Sequence, residues 1–317
     1  MMVGHALLAF ALAALVANRY WPAERALTFG VVAGAFATIP DVDMAYALVG
    51  LAQAGFGGVW SMTNAFWGSS QLVHRAVTHS LVVALVAAPG FVLLTGRRDK
   101  RAVGAVILSA LVWISFAESG VLGGGVMLVF VLAGTALALA VDARTDLQPR
   151  ELLLAAAFGL LSHPFGDVFT GEPPQFLYPF DTVLLHNRVA LYPPDPTLNL
   201  LAIFGVELAA AWLAVFAYFR LRDGHRDHEK RLLGHVHGRA TLGAGYALTA
   251  LFLPAPTLDV SYHFVFSVLA VGAVGVGPKL YPLRSFRVER DPRAWLCTGM
   301  AAVTVAVLAY AGAYITA

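Results

Sequence analysis

Long apolar stretches alternate with short polar segments along almost the whole chain. Many of these stretches approach the roughly 17 to 25 residues that an α-helix needs to cross about 30 Å of hydrocarbon. No segment shows the short in-and-out alternation that is typical of a membrane β-barrel strand. The pattern therefore predicts an all-α fold, a polytopic transmembrane helical bundle of about eight to ten spans. The ten candidate spans lie at roughly 4–18, 26–50, 76–96, 102–118, 121–141, 151–170, 198–219, 240–254, 260–278 and 295–316.

The composition agrees with a membrane protein and narrows the possible partners. The 317 residues are 59% hydrophobic and only 13% charged, whereas a soluble domain carries about 25% charged residues. The single cysteine, Cys297, excludes an internal disulfide framework and a cysteine-rich zinc site. The net charge of +2 does not indicate nucleic-acid binding, so no nucleic-acid partner is expected. The sequence leaves the oligomeric state open.

Basic residues are concentrated in the loops that fall on one side of the predicted bundle. The opposite set of loops carries only Arg75 and Arg188. Because loops rich in Lys and Arg stay on the cytoplasmic side, this bias predicts the orientation of the chain in the cytoplasmic membrane. Both termini are expected on the extracytoplasmic side.

Four groups of polar residues interrupt the apolar stretches, and all of them lie before residue 170. An ionisable residue inside a membrane span is costly and by default suggests a functional site. The predicted topology places all four groups near the outer face, although each span was assigned independently. The groups are Gly4-His5, Pro40-Asp41-Val42-Asp43, His74 to Ser80, and His163 to Asp167.

The residue types in these groups are those that bind a divalent metal. His163 and Asp167 are four residues apart and share one helical face, and Pro40 favours local unwinding beside Asp41 and Asp43. Mixed imidazoles and carboxylates suit zinc, with manganese or iron as alternatives. Since the candidates outnumber the ligands of one tetrahedral ion, one or two ions are expected. The candidate metal ligands are His5, Asp41, Asp43, His74, His79, His163 and Asp167.

The same region contains candidates for catalysis and for substrate binding. Arg75, Thr78 and Asp43 are the candidate catalytic residues, and Arg75 suits a phosphate or another oxyanion. Arg188 and His186, in the predicted outer loop, are further candidates for substrate binding. Because a bound metal acidifies water, these residues predict a hydrolase that acts on a membrane lipid or a phosphorylated small molecule.

The order of the four groups resembles that in the YdjM-type family of membrane-bound metal-dependent hydrolases. The matching motifs are Gly4-His5, Pro40-Asp41-Val42-Asp43, His74-Arg75-Ala76-Val77-Thr78-His79-Ser80 and His163-Pro164-Phe165-Gly166-Asp167, followed by the run from Gln175 to Phe180. Residues of about 4–180 carry this resemblance. Met44 stands where members often have His or Pro. The resemblance implies an integral membrane, metal-dependent hydrolase, and it does not supply a substrate.

Two other functions remain open, and they use the same residues differently. Intramembrane His and Asp also serve metal-ion or proton transporters, although no comparable polar groups continue toward the cytoplasmic ends of the spans. A non-catalytic scaffold with a structural metal would show a closed coordination sphere. In either case residues 1–196 form the metal-site half, and residues 197–317 add supporting transmembrane helices.

Overall fold

The structure is all-helical in the part of the chain that it describes. The computed structural model describes residues 3–54, 57–70, 75, 77–223, 232, 234–276 and 291–317. Every regular element in these residues is an α-helix or a 3₁₀ helix, which confirms the predicted all-α class. The chain divides into two compact units, Met1–Val189 and Ala190–Ala317. This division falls near residue 196, where the sequence separates the two halves, and the roles of the halves stay predictions.

The first unit contains all four polar groups identified in the sequence. Two short 3₁₀ helices, Pro40–Tyr46 and Val77–His79, connect its α-helices at the positions of the Asp and His motifs. The α-helices described in this unit are α1 (Gly4–Ala17), α2 (Ala23–Phe36), α3 (Ala47–Ala54), α4 (Val59–Ser70), α5 (Leu81–Leu94), α6 (Arg98–Arg144) and α7 (Pro149–Asp167).

Local sequence signals explain where the helices near the polar groups begin. Ser80 caps α5, because its side-chain oxygen accepts hydrogen bonds from the backbone N–H groups of Val82 and Val83. At the start of α7, Gln148 and Glu151 form a reciprocal capping box. Pro40 begins the 3₁₀ helix after α2, so the chain leaves the α-helical conformation where the Asp pair occurs.

Helix α6 is a hairpin rather than one straight rod. Its 47 residues would extend about 70 Å, more than twice the thickness of the hydrocarbon core. Gly120 breaks the helix with φ +66° and ψ −162°, a conformation that favours glycine. Beyond it the chain turns back, so that a Cβ at Gly124 would lie 2.9 Å from the Cβ of Phe116. The two halves match the predicted spans 102–118 and 121–141.

Small residues allow the helices of the first unit to approach closely around an aromatic core. Gly34 of α2 lies against the backbone of Ala6 in α1, and Gly159 of α7 lies against Phe36 in α2. Phe36 and Phe91 are both fully buried, with ring centroids 6.2 Å apart. This packing fixes α1, α2, α5 and α7 against one another and so positions the polar groups at their ends.

The second unit is a separate helical bundle around its own core. Phe204, Phe264, Val268, Val303 and Tyr310 form the centre of that core. Its described α-helices are α8 (Pro196–Asp223), α9 (Thr249–Phe252), α10 (Tyr262–Ala270) and α11 (Pro292–Thr316), with 3₁₀ helices at Gly238–Leu248, Leu258–Val260 and Val271–Val276.

Three of the described helices are long and apolar enough to cross a membrane, namely α6, α8 and α11. The count is four if α2 and the bent segment Pro40–Gln53 form one span. Some predicted spans are divided into shorter elements, because 3₁₀ segments interrupt 240–254 and 260–278. Two of the shorter apolar helices, α1 and α5, hold 14 residues each. The length criterion thus counts fewer spans than the hydropathy pattern.

Candidate metal centre

Four side chains from three separate parts of the first unit meet at one point. Asp41, His79, His163 and Asp167 each present one ligand atom, and these four atoms lie within 4.8 Å of one another. The two 3₁₀ helices supply Asp41 and His79, and the last turns of α7 supply His163 and Asp167. These residues form a group that could hold a metal ion.

The spacing of the four ligand atoms fits a tetrahedral ion. His79 Nε2 and His163 Nε2 are 3.0 Å apart, and each lies 3.2 Å from Asp167 Oδ2. Asp41 Oδ1 is 3.6 Å from the first nitrogen and 3.4 Å from the second. A tetrahedron with metal–ligand bonds of about 2.0–2.1 Å has edges of about 3.3–3.4 Å. Five of the distances between the ligand atoms, 3.0–3.6 Å, are therefore close to those of a zinc-sized coordination sphere.

The hydrogen bonds of the two imidazoles orient their other nitrogens toward the centre. His163 Nδ1 lies 2.6 Å from the carbonyl oxygen of Ala37, which can only accept, so Nδ1 carries the proton. Thr78 Oγ1 donates to Asp43 and lies 3.0 Å from His79 Nδ1, so it accepts from that nitrogen. In the neutral rings both Nε2 atoms then present lone pairs. Two lone pairs and two carboxylate oxygens at such distances are suited to a metal ion among them.

The two carboxylate oxygens of Asp167 face different partners, one the imidazoles of the centre and the other the surrounding protein. Its Oδ2 faces the two imidazoles and is buried, with no hydrogen-bond partner in the described structure. Its Oδ1 lies 3.1 Å from Arg75 Nη2 and 3.2 Å from His5 Nε2. An unpartnered buried carboxylate oxygen is costly, and a metal ion would satisfy it. The residues present therefore fit a bound divalent metal.

Arg75 is held by the protein from several directions. Its guanidinium donates to the carbonyl oxygens of Asp167 and Glu172 and to Thr170 Oγ1, besides its ion pair with Asp167. Its backbone N–H donates to Asp43 Oδ2, and its φ of +69° is unusual for a residue with a side chain. Arg75 thus connects the carboxylates of Asp43 and Asp167.

The structure brings most of the site residues predicted from the sequence together, but not all of them at the common point of the ligands. Asp43 and His5 contact the ligands rather than share their common point, since Asp43 Oδ2 lies 3.4 Å from His79 Nδ1 and His5 packs on the His163 ring. His74 lies outside the described residues. His186 and Arg188 are exposed in the loop after α7. The ligand and catalytic roles of the individual residues stay predictions.

Some contributors to the centre have no signal in the sequence. The carbonyl of Ala37 is a backbone group, so no residue type predicts it. Gly166 leaves the space that the His5 ring fills, because a Cβ there would clash with Nδ1 of that ring. Ser80, by contrast, belongs to the His-Arg-x-x-Thr-His-Ser motif, and its hydroxyl binds the carbonyl of Tyr178 at 2.7 Å. That motif therefore contained a structural residue beside the candidate metal ligand His79.

Comparisons with known proteins give one family. A sequence model of the family described as YdjM inner membrane protein matches residues 1–253, which extends beyond the motif region 4–180. Neither the curated proteins nor the solved structures gave a significant match. The family name agrees with the long apolar helices of the described chain. With most of its length matched, the chain belongs to the YdjM inner membrane protein family, as its motifs predict.

Proposed function

We propose that this membrane protein is a metal-dependent hydrolase that acts on a lipidic or phosphoester substrate at the outer face of the membrane. The observation that carries the proposal is the four-residue group of Asp41, His79, His163 and Asp167. Two imidazoles with two carboxylates and no thiolate suit zinc, or manganese or iron. When bound, such an ion acidifies water and polarises a phosphoryl or carbonyl oxygen.

The uneven burial of the four ligands supports a catalytic rather than a structural site. The side chains of His79 and His163 are fully buried and that of Asp167 is 2% exposed, whereas Asp41 is 23% exposed. A substrate can therefore approach from the side of Asp41. A structural site surrounds its ion on all sides and leaves no position for a substrate.

The surrounding residues hold the ligands in place and favour a single ion. Asp43 and Thr78 fix the ring of His79, and Arg75 and His5 fix the carboxylate of Asp167. A second ion would bind the free oxygen of a shared carboxylate, about 3.5–4 Å from the first. At Asp167 that oxygen already contacts the Arg75 cation, so we assign Arg75 a positioning role in a one-ion site.

We expect an Asp41→Ala variant to lose hydrolysis of phosphoester substrates. Loss of the hydrogen-bond partner of a ligand costs about 10- to 100-fold, and loss of a ligand should reach at least the upper end of that range. Purified protein loaded with zinc, manganese or iron would be assayed on phosphomonoesters and phosphodiesters, with lipid and soluble forms of each.

The exposed carboxylate of Asp99, at the start of α6, offers a matched control. Asp99→Asn should keep the wild-type rate. Equal rates in Asp41→Ala and wild type would contradict the proposal. Metal uptake into proteoliposomes without any hydrolysis would instead favour the transport hypothesis.

A further inference from the structure

The loop that follows α7 is attached to the metal centre at both of its ends. Near its start, the carbonyl of Phe176 accepts a hydrogen bond from the N–H of Leu81, and that of Tyr178 accepts one from Ser80. At its end, the N–H of Val189 donates to the carbonyl of Val168 at 2.7 Å. Ser80 and Val168 directly follow the ligands His79 and Asp167. We call residues 175–189 the site loop.

Between these attachments the site loop exposes large apolar side chains. Phe180 is 64% exposed, Val183 60% and Leu184 57%. The polar side chains of Asp181 and Thr182, between Phe180 and Val183, are exposed as well, and those of His186, Asn187 and Arg188 follow. Large exposed apolar side chains interspersed with polar ones are typical of a chain that lies at a membrane–water interface.

The site loop is also fixed to one end of α7. Helix α7 has 19 residues and is about 28 Å long, close to the thickness of the hydrocarbon core. The bond between Val189 and Val168 holds the loop at the end of this helix. The loop therefore lies at the same end of α7 as His163 and Asp167, although α7 is not among the described helices that are apolar enough to cross a membrane alone.

We infer that the site loop inserts Phe180, Val183 and Leu184 among the lipid acyl chains and presents a membrane lipid to the metal centre as the substrate. The acyl chains contact these three side chains, and the headgroup ester lies toward Asp41. The role of the lipid as a substrate rests on the proposed hydrolase function, whereas insertion of the loop among the acyl chains does not. A water-soluble phosphoester would gain nothing from the three apolar side chains.

The location of the loop can be tested without any activity. In a Cys297→Ala background, which removes the only cysteine, Val183→Cys would carry an environment-sensitive fluorophore in phospholipid vesicles. We expect a blue-shifted emission that is quenched by lipids spin-labelled on the acyl chain and protected from aqueous iodide. Asn187→Cys is the matched control and should show the reverse. Iodide quenching at residue 183 equal to that at 187 would overturn the insertion.

The choice of substrate is tested by comparing two phosphodiesters, one long-chain lipid and one soluble and chromogenic. In the triple variant Phe180→Ser, Val183→Ser, Leu184→Ser, the KM for the lipid should rise about tenfold or more relative to that for the soluble ester. Asn187→Ser should leave the ratio unchanged. An unchanged ratio in the triple variant would overturn lipid presentation. If wild type hydrolyses neither ester, the proposed function fails, and the fluorophore result still decides insertion.

Discussion

A His163→Ala variant is expected to lose its bound metal. The wild-type protein should hold about one ion per chain after dialysis, because four protein ligands converge on one position. His163 contributes a fully buried nitrogen within 3.4 Å of the other three ligand atoms. Three remaining ligands bind more weakly, so the metal content measured by inductively coupled plasma mass spectrometry should fall to a small fraction of an ion.

His186→Ala is the matched control for this measurement. It removes an imidazole that is exposed in the site loop, and the metal content should not change. Asp167→Asn provides a second test, since it keeps the shape of the side chain and removes its charge. A full ion retained by both His163→Ala and Asp167→Asn would rule out this ligand set.

An Arg75→Ala variant should be strongly destabilised. Arg75 and Asp167 form a buried ion pair with side chains 8% and 2% exposed. Removing one partner of a buried pair costs about 3–5 kcal/mol when the other charge is left uncompensated, and the contacts of Asp167 with His5, His79 and His163 would offset part of that cost. Four contacts of the guanidinium would be lost together, so the thermal unfolding midpoint in detergent should fall markedly.

Two further variants test whether the burial of the ion pair between Arg75 and Asp167 causes the loss of stability. Arg25→Ala breaks a pair with Glu151 in which the Arg side chain is 38% exposed, and only a small change is expected. Arg75→Lys keeps the charge but loses the forked geometry, so its midpoint should lie between wild type and Arg75→Ala. Equal midpoints for Arg75→Ala and Arg25→Ala would contradict the positioning role of Arg75.

The sequence predicted that the four motifs converge, because ionisable residues inside a membrane span are costly and a functional site explains that cost. His163 and Asp167 share a helical face by their spacing alone, and the positive-inside bias placed the other motifs on the same side. Which residues face the centre and which only contact the ligands could not be predicted in this way. Asp43 is two residues from Asp41, and only the 3₁₀ geometry decides which of them faces the centre.

Two glycines determine features of the fold that the sequence pattern could not predict. Hydropathy predicted two spans at 102–118 and 121–141, but the turn between them depends on the backbone of Gly120. The room for His5 depends on the absence of a side chain at Gly166, which no pattern of polar residues indicates. The fold class and the membrane character of the chain follow from its composition, whereas close approaches between its segments depend on the packed structure.

The central claim is a single metal ion bound by two histidines and two aspartates, and X-ray absorption spectroscopy of the zinc-loaded protein tests it most directly. The account predicts two imidazole nitrogens with two oxygens from the aspartates and room for a further oxygen from water at about 2.0–2.2 Å, with no sulfur at about 2.3 Å and no second metal at about 3.5–4 Å. A sulfur ligand, fewer than two imidazoles or a metal–metal distance in that range would contradict it.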